Sequence, residues 1–210
     1  MTILVIGLTG SIGMGKSTVA GWMRDCGLPV SDSDQIVHDL YEGAAVSAIE
    51  AAFPGSTASG RVDRARLGSM LVADPEKFAA LEDLVHPMVR RAQHQFLSEC
   101  VADGKPAAVL EVPLLFETSG DARVDVTIVV HAAPDVQRDR VLDRPSMTED
   151  KLSSILARQL PSSEKVRRAD FVVDTGGTLA ESEAQLDAVV AVLRERKGTV
   201  YQRLWQSEDG

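Results

Sequence analysis

The sequence predicts an α/β fold in three layers, a five-stranded parallel sheet covered by helices on both faces. Two observations predict it. Five short apolar runs, most of them rich in β-branched residues, recur along the chain, and the longer segments between them carry apolar residues at helical spacing. Alternation of this kind favours parallel pairing, because each strand is followed by a crossover long enough to hold a helix.

The first run, Ile3 to Leu8, leads into a glycine-rich stretch and then a helical segment. The second, Pro29 to Ser31, is the weakest signal. No strand pattern follows from Gln35 to Lys105; Phe78, Leu81, Leu84, Val85, Met88, Ala92 and Phe96 fall at helical spacing, and Pro54 to Gly60 reads as a loop. This stretch is predicted to be an all-helical insertion, broken near His86 because Pro87 suits the first position of a helix and not its interior. Ala107 to Val112, Val124 to Val130 and Phe171 to Val173 supply the remaining strands. From Thr178 to Arg196, Leu179, Leu186, Val189, Val190 and Leu193 share one stripe, the pattern of an amphipathic helix laid on the sheet.

A chain of 210 residues that is 44% hydrophobic fits a single domain with an inserted part, and a monomer is expected. Its formal net charge is -9, whereas a nucleic-acid binder needs clustered Lys and Arg, so a nucleic acid is excluded as partner. The opening apolar run is too short to span a bilayer and follows no basic segment, so neither a membrane partner nor an export signal is expected and the protein is placed in the cytoplasm. Cys26 and Cys100 have no second Cys or His at metal-ligand spacing and are read as reduced thiols.

Gly10-Ser11-Ile12-Gly13-Met14-Gly15-Lys16-Ser17 matches G-x-x-x-x-G-K-[ST] directly after a predicted strand and directly before a predicted helix. Glycines let the backbone curl so that successive N–H groups and the helix N-terminus face phosphates; Lys16 adds a mobile cation and Ser17 a hydroxyl ligand for Mg²⁺. The pattern predicts ATP binding with Mg²⁺. Asp32 and Asp34 follow the second strand, at the sheet edge where open parallel sheets hold ligands. One could take a proton from an acceptor hydroxyl and the other hold Mg²⁺ through water; alternatively Asp34 caps the next helix. Glu111, at the end of the third strand, competes with Asp32 for the metal role.

Arg138, Arg140, Arg144, Arg158, Arg167 and Arg168 gather in an otherwise acidic chain, as a basic lid over about residues 138–168 would require to cover the charge of a phosphoryl transition state. Arg140 and Arg144, four apart, are predicted to share one helix face. His86 and Arg90 are also four apart, and read from the residues alone they are surface groups. Leu114 and Leu115, after the third strand, either line an acceptor crevice or pack in the core.

This ordered set resembles the dephospho-coenzyme A kinase family. That family opens with G-L-T-G-x-I-G-x-G-K-[ST], present as Gly7 to Ser17. Its D-A-D is Asp32-Ser33-Asp34, its H-P-x-[VI]-R is His86 to Arg90, its P-L-L-F-E is Pro113 to Glu117, and its Q-x-x-R-x-x-x-R holds Gln137, Arg140 and Arg144. A last block holds Gln159, Lys165 and Ala169-Asp170. The resemblance implies a P-loop nucleotide-kinase-like core (1–34 and 106–205), a helical acceptor-binding insertion (about 35–105) and the lid. It implies ATP-dependent phosphorylation of the ribose 3′-hydroxyl of dephospho-CoA, the last step of coenzyme A synthesis. Asp34 becomes the base, Lys16 and Arg140 serve the transfer, and residues 10–18 (through Thr18) with Arg140, Arg144 and Thr175 hold ATP. His86, Arg90, Leu114 and Leu115 take the acceptor side; Ser17 and Asp32 serve the metal. The chain departs from the family at Ser33, commonly Ala, at His38, often Arg, and at Thr175, which replaces the Asn of D-N-x-G near adenine.

Two other functions compete. Another small-molecule kinase would share the loop and the lid, and only the insertion motifs discriminate. A nucleotide-gated switch would read guanine through N-K-x-D, and the chain contains no asparagine.

Overall fold

The computed structural model describes residues 2–74 and 76–206, which divide into two compact units, one of residues 1–31 and 97–210 and one of residues 32–96. In the first, β1 (Leu4–Thr9) forms the centre of a five-stranded sheet ordered β2-β5-β1-β6-β7. The other strands are β2 (Val30–Asp32) and β7 (Phe171–Asp174) at the edges and β5 (Ala107–Glu111) and β6 (Val126–His131) on either side of β1. β1 runs parallel to β5 and β6, and β6 parallel to β7. All five lie within about two residues of the runs predicted for them; β1, β5 and β6 are buried almost throughout, and a strand buried on both faces must be apolar along its length and so marks its own extent.

Strand alternation decides what each face meets. Leu4, Ile6 and Leu8 share a core with Val126, Ile128 and Val130 of β6, with Val19, Ala20 and Met23 of α1 (Lys16–Asp25), and with Leu186, Val189, Val190 and Leu193 of α9 (Leu179–Leu193). On the opposite face Gly7 leaves room for Leu115, whose Cδ2 would lie 2.8 Å from a Cβ added there. The closing helix begins where expected, since Thr178 and Glu181 form a reciprocal capping box. Backbone and side-chain bonds from Thr178 hold the Glu181 carboxyl below its ordinary range. Three short helices precede β7: α6 (Pro134–Leu142), α7 (Glu149–Leu156) and α8 (Ser162–Arg168).

The second unit contains α2 (Ser33–Tyr41), α3 (Val46–Ala52), α4 (Arg64–Ala73) and much of α5 (Lys77–Ala102) around Ile49, Phe53, Leu67, Leu71, Leu81 and Val85. Two expectations fail here. The segment is not all-helical: β3 (Thr57–Ala58) and β4 (Arg61–Val62) pair antiparallel where a loop was expected. Ser59 and Gly60, at φ 53° and 77°, turn the chain with the left-handed geometry of a two-residue hairpin, and Glu50 accepts from Gly55 N, Thr57 N and Thr57 Oγ1 beside it. Strands two residues long carry no readable alternation. Nor does Pro87 break the helix, for α5 continues through it. A proline inside a helix removes one N–H hydrogen bond and crowds the preceding turn, at about 3 kcal/mol in all, but the apolar stripe of Leu81, Val85, Met88 and Val89 packs on both sides of the proline. Among the described residues no helix is long and apolar enough to cross a membrane.

Candidate active site

The loop between β1 and α1 is built for an anion. Gly13 and Gly15 both sit at φ 80°, and a Cβ on Gly13 would fall 2.5 Å from Val141 Cγ2, so only glycine fits there. No side chain caps α1 and no acidic residue lies in its first turn, which leaves the helix N-terminus to a ligand. Ser17 and Thr18 are exposed in that turn. Lys16 Nζ donates to Glu111 Oε1 at 2.5 Å, and Glu111, which ends β5, is only 2% exposed. A carboxylate buried to that degree needs a cation, so Glu111 holds the lysine beside the loop, with Arg24 Nη2 4.0 Å from its other oxygen.

Side chains from α6, from the turn after α7 and from the end of β7 brace the loop. Ile12 N donates to Gln159 Oε1 at 3.2 Å while Ile12 O accepts from Gln137 Nε2 at 2.7 Å. Thr175 Oγ1 donates to Met14 O at 2.8 Å, and Arg140 grips the same residue, Nη1 to Oγ1 at 3.2 Å and Nη2 to Thr175 O at 2.6 Å. Thr175 is thus a buried strut joining Arg140 to the loop, its hydroxyl already occupied. The expected pairing of Arg140 and Arg144 on one helix face is not found: α6 ends at Leu142, and Arg144 lies exposed beyond the Asp143 cap. Pro145 is the reason, since the residue before a proline is turned away from helix.

Of the remaining arginines, Arg138 pairs with Glu149, Arg167 with Glu164 at 2.6 Å, and Arg168 with Asp121 at 2.7 Å. The apolar wall also shrinks. Leu115 is 1% exposed and packs into the core near Gly7, so it is no acceptor surface; Leu114 remains half-buried. Glu117 Oε1 accepts from Lys165 Nζ at 2.8 Å and from Leu160 N at 2.8 Å, with Lys165 wholly buried. Two motif residues therefore form a buried ion pair that sequence spacing gave no means of matching.

In the second unit Asp32, not Asp34, caps α2: its Oδ1 accepts from Asp34 N at 2.8 Å and Gln35 N at 3.3 Å. Asp34 is exposed and its carboxylate has no partner among the described residues of its unit. Ser33, 7% exposed, is not a silent replacement, for its Oγ accepts from the equally buried Gln93 Nε2 at 3.1 Å and ties α2 to α5. Because α5 is continuous, His86 and Arg90 stand one turn apart on a single helix, half-buried and exposed respectively.

A family model for dephospho-CoA kinase matches residues 4–181. The chain is 54% identical over 198 residues to a dephospho-CoA kinase of Rhodopseudomonas palustris (strain HaA2), covering 92% of this chain and 100% of that protein. It superposes on the crystal structure of TT1252 from Thermus thermophilus with a TM-score of 0.81 at 37% identity, covering 92% of this chain and 99% of the other. A dephospho-CoA kinase from Campylobacter jejuni shares the fold, with a TM-score of 0.68 at 22% identity over 90% of this chain and 96% of that one. An anion-binding loop, a lysine held beside it and an ordered motif set matched along nearly the whole chain lead to one conclusion: the chain belongs to the dephospho-CoA kinase family.

Proposed function

We propose that this chain performs its family's reaction with residues 10–18 gripping ATP, Asp34 as base, and Lys16 and Arg140 covering the charge of the moving phosphoryl group. The reaction is the ATP-dependent phosphorylation of the ribose 3′-hydroxyl of dephospho-CoA, the last step of coenzyme A synthesis. The observation that carries the reading is the family match over residues 4–181, which takes in the loop, Asp34, His86, Arg90 and Arg140 together.

The 3′-oxygen attacks the γ-phosphorus as its proton passes to Asp34, and the bond to the β-phosphate oxygen breaks to release ADP. Asp34 suits the base because no other group of its unit holds its carboxylate. Lys16 keeps donor hydrogens for phosphate beyond the one Glu111 takes. Arg140, steadied by Thr175, brings a guanidinium to the donor phosphates without first having to be ordered. Ser17, with its exposed hydroxyl, and Asp32, with the carboxylate oxygen its cap leaves over, would each offer Mg²⁺ the kind of hard oxygen it takes. When bound it offsets charge on the β- and γ-phosphates. His86, Arg90 and Leu114 belong to the acceptor side and residues 138–168 to the lid, and the enzyme acts in the cytoplasm as a monomer.

The test is ADP release with dephospho-CoA, AMP, gluconate and shikimate at equal concentration. Dephospho-CoA is expected to give the highest kcat/KM; a higher value for any competitor would overturn the acceptor assignment.

A further inference from the structure

Asp34, His38 and Tyr41 lie at i, i+4 and i+7 along α2, so their side chains share one stripe of the helix. Arg64, the first residue of α4, reaches that stripe from a different element. Its Nη2 lies 3.2 Å from His38 Nδ1, and its guanidinium carbon stands 5.4 Å from the centroid of the Tyr41 ring. A guanidinium can only donate, so Nδ1 is the acceptor and in this geometry the imidazole proton sits on Nε2. That nitrogen faces Glu42 Oε1 at 3.8 Å. Burial pushes the Tyr41 phenol up, so the ring also meets Arg64 uncharged.

Neutral groups therefore orient Arg64, and its neighbours behave differently. Arg66 pairs with Asp63 at 3.2 Å and Arg61 approaches Glu42 at 3.9 Å, whereas Arg64 has no carboxylate at ion-pair distance among the described residues of its unit. It is also exposed. An arginine fixed by uncharged partners keeps its full charge and its planar fork for a ligand, and the ligand that fork fits is a phosphate.

We propose that Arg64, oriented by His38 and Tyr41, binds a phosphate group of the acceptor one helical turn from Asp34. The inference rests on the reading of Asp34 as base for the acceptor hydroxyl. Side chains one turn apart are separated by ~5–6 Å, and a ribose 3′-hydroxyl is a few bonds across the sugar from the phosphate on its 5′ carbon. With the hydroxyl at Asp34, the 5′-phosphate falls beside His38 and Arg64. The pair then selects acceptors that carry a 5′-phosphate over the bare nucleoside.

Arg64→Gln and Arg64→Lys, each verified as folded by its melting curve, would be assayed with dephospho-CoA and with adenosine, which has the hydroxyl and no phosphate. Arg64→Gln is expected to raise KM for dephospho-CoA about tenfold or more while KM for ATP and the turnover of adenosine stay as in the wild type. Arg64→Lys should recover part of the loss, keeping the charge but not the fork. Calorimetric titration with dephospho-CoA reads the same loss if adenosine turns over too slowly to measure. Equal losses on both acceptors, an effect confined to ATP, or affinity for dephospho-CoA within about twofold of wild type would overturn the inference. If the wild-type enzyme binds dephospho-CoA but does not phosphorylate it, the functional reading fails instead, and the titration still reports on Arg64.

Discussion

Asp32 and Asp34 are separated by one residue and serve different purposes. Asp32 spends an oxygen on the first amides of α2, while Asp34 offers its amide to that cap and keeps its carboxylate free within its unit. Asp34→Asn should therefore leave the fold and the dissociation constant for ATP unchanged while kcat falls by about 10²-fold or more, the scale for losing a positioned base. A kcat within a few-fold of wild type would reduce Asp34 to a surface residue. Side chains whose roles depend on a partner from another element could not be read from sequence at this scale. The sequence does not rank Glu111 against Asp32, because the bond from Lys16 depends on β5 lying beside β1 with Leu8 opposite Glu111. Nothing in the sequence marks Arg64, since its position beside His38 is a product of the fold.

Among the elements, the P-loop is the best case of agreement between local pattern and structure, and its bracing is the case where pattern was silent. Both backbone groups of Ile12 are taken by amide side chains, Gln159 accepting and Gln137 donating, so α6 and the turn after α7 both rest on one loop residue. Gln159→Met keeps the size and removes the acceptor. Amide exchange at Ile12 should then quicken, with KM for ATP rising about fivefold, the scale of one hydrogen bond near 1 kcal/mol, and KM for dephospho-CoA unchanged. Exchange at Ile12 as slow as in the wild type would mean that this bond does not order the loop in solution. The long strands and α9 were legible because burial shapes the apolar pattern directly; that Thr178 and Glu181 cap the helix reciprocally is seen only in the structure. The β3–β4 hairpin was too short to show alternation, and Pro87 followed a sound local rule that the packing of α5 outweighs.

For the molecule as a whole, the order of motifs along the chain was more informative than any one of them, because a P-loop alone serves kinases, switches and motors alike. The fold class and the reaction follow from that order, and from the family match over residues 4–181. The partition of motif residues between chemistry and scaffold does not. Leu115, Lys165, Glu117 and Thr175 all fall in family motifs, yet Leu115 packs into the core, Lys165 and Glu117 form a buried ion pair, and Thr175 braces the loop. Sequence spacing cannot separate a residue that touches substrate from one that holds such a residue in place. The central claim, transfer of the ATP γ-phosphoryl group to one hydroxyl of one acceptor, is tested most directly by phosphorus NMR of the product made from dephospho-CoA and ATP. A new phosphomonoester resonance coupled to the ribose 3′ proton, appearing in step with ADP, is the expected result; a phosphate at any other position, or ADP formed with no phosphorylated acceptor, would contradict it.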